Sequence, residues 1–108
     1  MIKGILVKPD CRPEIIEFEE GYKQLQKIVE GCFEMPALFD DCDIVINEEG
    51  KFNGSKPNKY LISGNQIVDI IYGNILLVDC DDQGNTISLS DDKIDKYLKI
   101  FKEDAIRI

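Results

Sequence analysis

The chain reads as an α+β domain: a mainly antiparallel sheet with two helices packed on one face. Three observations predict this. Short β-branched runs are separated by turn residues throughout. Two segments carry apolar residues at three- and four-residue spacing, one near Leu25 and one near Ile94. No linker, repeat or low-complexity stretch divides the 108 residues, so one domain spans 1–108.

The elements follow in order. Ile2–Val7 is apolar and β-branched and stops at Lys8-Pro9-Asp10, the mark of a central strand. Pro13–Phe18 is a second strand with one wet face, paired to the first as a hairpin across Lys8–Arg12. From Gly21 to Glu30, Tyr22, Leu25, Ile28 and Val29 form one helical stripe, and Gly31 stands where a left-handed cap would end it. Phe33–Phe39 is extended, with Pro36 pushing it to an edge or a bulge. Asp43–Asn47 and Tyr60–Ile62 are short strands, while Gln66–Tyr72 fits either a strand or a single helical turn. Asn74–Cys80 is the strongest strand, and Asp81–Asn85 turns the chain so that Thr86–Leu89 returns beside it. Ser90 caps a helix running to Phe101, with Asp91 and Asp92 in its first turn and Leu89 and Ile94 at the staple positions. Glu103–Ile108 adds a frayed turn or an edge strand.

Composition excludes several functions. An apolar share of 44% and a charged share of 31% are globular values. A formal charge of −8 disfavours direct nucleic-acid binding and an anionic membrane surface, both of which rely on clustered Lys and Arg. The longest apolar run, Ile75–Val78, is far short of the ~20 residues of a transmembrane helix. The start Met-Ile-Lys has no leader pattern, so a cytoplasmic setting is expected, with Cys11, Cys32, Cys42 and Cys80 as free thiols. None of these cysteines forms a C-x-x-C pair and the chain has no histidine, so neither a zinc site nor a His-assisted nucleophile is expected. No cofactor is implied.

Two further constellations are weak. Asp79, Asp81, Gln83 and Gly84 resemble the start of a calcium loop, but Ser90 stands where a bidentate Glu is required, and a hairpin turn explains the same residues. Gly50-Lys51-Phe52-Asn53-Gly54-Ser55-Lys56 has the residues of a phosphate loop in the wrong order.

The stretch Asn47–Asn58, NEEGKFNGSKPN, looks most like a site. Positive-φ turns explain Gly50 and Gly54, and Asx turns explain part of the asparagine content. The residues left over are Asn47, Lys51 and Asn58, joined by Asp69 and Tyr72 if the following segment folds back. Amides there would read a polar ligand, and a lysine would meet an anion.

In order along the chain, Lys8-Pro9, Leu25–Gly31 leading to Glu34, Ile46–Lys51, Gly54, Pro57-Asn58, Asp69–Gly73 and Leu89-Ser90-Asp91 with Tyr97 and Phe101 resemble a domain-of-unknown-function family. Its members are small proteins of Gram-positive bacteria, their phages and mobile elements. The resemblance implies an accessory role and transfers no activity. The resulting expectation is a non-enzymatic binding module for a host protein or a small polar ligand, through Asn47, Lys51, Asn58 and Asp69. The alternative is a small enzyme or nucleotide-handling protein using Asp, Lys and Asn groups.

Overall fold

A computed structural model describes all of residues 1–108. The chain runs β1 (Ile2–Val7), β2 (Glu14–Phe18), α1 (Tyr22–Val29), β3 (Phe33–Glu34), β4 (Asp43–Asn47), β5 (Pro57–Ser63), β6 (Gln66–Tyr72), β7 (Ile75–Cys80), β8 (Thr86–Ile87), α2 (Asp91–Ile100) and β9 (Ala105–Arg107). The fold is α+β with mostly antiparallel sheet. The main sheet has the order β2-β1-β7-β4-β3, and β8 pairs with the far end of β7. A second sheet has the order β6-β5-β9, in which β9 lies parallel to β5.

β7 lies between β1 and β4, with Leu76 opposite both Leu6 and Val45. Its residues Ile75 to Val78 are completely buried. Successive side chains point to opposite faces of a sheet, so four consecutive buried residues require cover on both sides. α1 covers one face, where Leu25 and Val29 pack with Ile2, Phe18, Val45, Leu76 and Val78. α2 covers the other, where Ile94, Tyr97 and Phe101 pack with Ile5, Val7, Ile44, Ile75 and Leu77. The helices therefore lie on opposite faces of the main sheet, not on one. The second sheet joins α2 on its side through Leu61, Ile71 and Ile106.

Gly4 permits the tight fit of β1 on β7, since a Cβ there would stand 2.6 Å from the Leu77 carbonyl oxygen. α1 ends one residue earlier than expected. Glu30 takes the left-handed conformation at φ 65°, and the Gly31 N–H donates back to the Gln26 carbonyl at 2.8 Å, closing a Schellman motif. At Gly31 a Cβ would come within 2.8 Å of the Asn47 amide nitrogen. That glycine makes room for a neighbouring side chain.

α2 begins as its sequence predicts. The Ser90 hydroxyl accepts from the Lys93 N–H at 3.4 Å, and Leu89 and Ile94 are both buried. Phe39 reaches from outside the ladder to stack edge-on against Tyr97 and Phe101, with ring centroids 5.2 and 5.9 Å away. Of the segment Phe33–Phe39, only Phe33 and Glu34 pair in the sheet. Gln66–Tyr72 is a strand, and the C-terminal tail is an edge strand held by Tyr60 N–H to Asp104 O and Ile108 N–H to Ile62 O, both at 2.9 Å. Lys59 buries its stem in the second sheet and donates its ammonium to the Glu103 carbonyl at 2.8 Å, satisfying a group just past α2.

Truncating Phe101 to Ala should cost about 3–5 kcal/mol, since the ring is wholly buried and fills the junction of both sheets with α2. Tyr97→Phe removes only the hydroxyl that donates to Asp41 and should cost about 1 kcal/mol. Urea unfolding of the two variants would check both the order and the gap.

Candidate functional site

The loop between β4 and β5 is built around side-chain amides that face inward. Asn47 is buried, and its Nδ2 donates to the carbonyls of Val29 and Glu30 at 3.1 and 3.3 Å. Its Oδ1 accepts from the Glu49 N–H at 2.8 Å. One side chain thus satisfies carbonyls left open at the end of α1 and starts the turn after β4. Asn58 is equally buried and donates to the carbonyls of Val7 and Gly73 at 2.9 and 2.7 Å. It ties the end of β1 to the turn between β6 and β7. Asn74 adds a donor to the Ile28 carbonyl at 3.0 Å. Asn53 makes the local Asx contact, accepting from the Ser55 N–H at 3.0 Å.

The glycines of the loop have separate reasons. Gly54 sits at φ 84°, as a positive-φ turn requires. Gly50 does not. It is small because a Cβ would stand 2.7 Å from the Tyr72 carbonyl oxygen, where the loop presses on β6.

That close approach brings Lys51 onto β6. Its ammonium pairs with the Asp69 carboxylate, which also accepts from the Ile70 N–H at 2.8 Å. The pair holds the Lys51 pKa above its usual value, and the Lys51 hydrogen bond holds Asp69 below its own. Both side chains are half exposed. The structure brings Asn47, Lys51 and Asp69 to one depression and places Asn58 outside it, and the four residues have two roles. Asn47 and Asn58 face main-chain carbonyls, while Lys51 and Asp69 face out.

Around the ion pair the surface is apolar. Phe52, next in sequence to Lys51, is 89% exposed. Ile67 and Val68 on β6 are 60% and 52% exposed, and Tyr60 on β5 stands opposite Ile70. Lys51, Asp69, Ile70 and Tyr72 line two adjoining depressions. One holds about 130 Å³ and reaches Phe52 and Glu34; the other, about 310 Å³, reaches Ile67 and Val68. Neither Ile67 nor Val68 is among the site residues that the sequence points to. Their signal was a β-branched pair followed at once by a charged residue in a strand. The register breaks at that point, leaving Val68 unpaired between Ile67 and Asp69. Such a bulge re-aims side chains and interrupts pairing at a sheet edge.

A second polar group lies at the start of β4. Tyr97 and Lys96 both donate to the Asp41 carboxylate, the latter at 2.8 Å. The Lys96 bond is the larger cause of a lowered Asp41 pKa, and burial pushes the Tyr97 hydroxyl up. Burial likewise lifts the Cys42 thiol to about 12, so at neutral pH it is a protonated core group rather than a nucleophile. Cys11, Cys32 and Cys80 are exposed and unpaired. In the region resembling a calcium loop, Asp79 is bound to Lys93 at 2.6 Å. Asp81 accepts from the Gln83 and Asn85 N–H groups, both at 2.9 Å, as a hairpin turn requires. No helix is long and apolar enough to cross a membrane.

A family model described as a domain of unknown function (DUF3846) matches residues 2–102, and the chain belongs to that family. No curated protein and no solved structure matches it.

Removing the Asn58 amide should cost about 2 kcal/mol, because Asn58→Ala orphans two carbonyls where water is largely excluded. Lys51→Ala should cost under about 1 kcal/mol, the range of a half-exposed pair. The Asp69 pKa is depressed in the folded state, so its contribution is complete above the unfolded carboxylate value of about 3.9 and is lost as pH falls through the folded value. Acid unfolding followed by circular dichroism should show a shallower loss for Asp69→Asn than for the parent chain. An Asn58→Ala variant as stable as the parent would contradict the inward role of that amide.

Proposed function

We propose that this member of the DUF3846 family is a non-enzymatic binding module whose partner is a protein. The contact surface is the β4–β5 loop with the outer side of β6. The observation that carries the reading is the exposure of Phe52, Ile67 and Val68 around the Lys51–Asp69 pair. Large apolar side chains beside a charged pair are the composition of a protein-binding patch, where a buried aromatic supplies most of the energy and neighbouring charges fix orientation. A small polar ligand is supported less well. The amides that would read it, Asn47 and Asn58, already bond main-chain carbonyls.

Within this reading Lys51 and Asp69 are contact residues, and Asn47 and Asn58 are positioning residues that hold the loop. The phage or mobile-element setting that the sequence resemblance implies makes a host protein the first class of partner to test.

The test is affinity capture from a bacterial lysate, with the parent chain and a Phe52→Asp, Ile67→Asp double variant compared side by side. Both positions are exposed, so the variant should keep the parent circular dichroism spectrum. A protein retained by the parent and weakened at least about tenfold by the double variant is the expected result, the size of one interface anchor. Equal recovery of every captured protein by both chains would reject this surface.

A further inference from the structure

Another concave surface surrounds the start of α1, across the main sheet from α2 and the second sheet. Phe18, Tyr22, Phe33 and Met35 wall a cleft of about 330 Å³. It continues into a depression of about 620 Å³, with Ile2, Glu20, Asn85 and Thr86 common to both. Tyr22 and Met35 stand 61% and 43% exposed. The Tyr22 and Phe33 rings lie 6.1 Å apart with their planes tilted by 57°, which forms a wedge with two π surfaces.

The charge of this surface has one sign among its side chains. Glu19, Glu20 and Asp81 line it, and no Lys or Arg side chain does. The ion pairs of the protein engage Asp41, Asp69, Asp79 and Asp104, so these three carboxylates have no cation of their own. Two features oppose a cation: Met1, with its α-ammonium, lines the outer depression, and α1 follows Gly21 without a side-chain cap and without an acid in its first turn. Its N-terminal partial charge is about half a unit, and Glu19 and Glu20 lie immediately before it with two full negative charges.

We infer that this cleft receives a basic side chain, flanked by apolar residues, from an extended segment of a partner protein. The aliphatic stem of an arginine or lysine lies along Phe18 and Met35. Its cationic head rests on the Tyr22 and Phe33 rings beside Glu20, where ring quadrupole and carboxylate act in the same direction. The −8 charge of the chain draws such a segment in from a distance.

The probe is a labelled pentapeptide, acetyl-Leu-Arg-Leu-Arg-Leu amide, titrated into the full chain at low salt and followed by fluorescence anisotropy and amide chemical shifts. The control replaces both arginines with glutamates. The basic peptide should bind more tightly than the control, weaken with added salt, and shift the amides of Tyr22, Phe33 and Glu20. Tyr22→Ala should weaken it about fivefold, in the range of an exposed cation–π contact. Glu20→Lys should weaken it further and flatten the salt dependence. The inference is overturned by equal or tighter binding of the acidic peptide, or by an unchanged affinity in Tyr22→Ala, which would mean attraction by charge alone. Shifts of these amides with protein concentration alone would overturn it in favour of self-association. The Phe52→Asp, Ile67→Asp variant should bind the peptide as the parent does, so this cleft and the β6 surface stand or fall separately.

Discussion

Everything else in the molecule is arranged around water exclusion from both faces of β7. Ile75 to Val78 leave no face for solvent, and a two-layer solution cannot satisfy them. Full burial of one such side chain contributes about 1.5–3 kcal/mol, so leaving either face uncovered would sacrifice two of them at once. The requirement places α1 on one side and α2 with the second sheet on the other. Gly4 serves the same strand locally, because a Cβ there would stand 2.6 Å from the Leu77 carbonyl oxygen.

The polar loops answer a related demand. Chain segments crossing between layers leave main-chain carbonyls in places that water does not reach, and each needs a donor. Asn47, Asn58 and Asn74 supply donors to five carbonyls at the end of α1, the end of β1 and the β6–β7 turn. A run of amides that resembles a ligand-reading loop is here largely internal scaffolding. The outward remainder, Lys51 with Asp69 and the apolar residues beside them, sits on a loop that those amides anchor at both ends.

Much of the fold is legible in the sequence because its signals are local. The stripe Ile94–Tyr97–Phe101 with its Ser90 cap and acidic first turn defines α2, and the run Asn74–Cys80 defines β7. The placement of the helices was also present, in the unbroken apolar run Ile75–Val78: a one-sided sheet would have alternated there. Other features depend on contacts between distant residues. Nothing near Gly31 announces that its missing side chain makes room for Asn47, and nothing near Gly50 announces the Tyr72 carbonyl. The same holds for the site. An asparagine bonded to a carbonyl 51 residues away and one facing a ligand look alike in one dimension. Lys51 and Asp69 were recognisable as charges, but their pairing required β6 to fold back on the loop.

The position of β7 in the chain has a consequence for how the protein forms. Its neighbours β1 and β4 are made early, and its own residues follow them by roughly seventy and thirty positions. On the ribosome, the first half of the chain has the β1–β2 and β3–β4 pairs and a short helix but no strand to join them. Closing such separated pairings is slow, which puts folding in the millisecond-to-second range typical of sheet-rich domains. Until β7 emerges, the apolar sides of β1 and β4 stay open to water and to other chains. Residues 1–74 carry 13 acidic against 8 basic side chains, and that excess of negative charge opposes association of the incomplete chains during the interval.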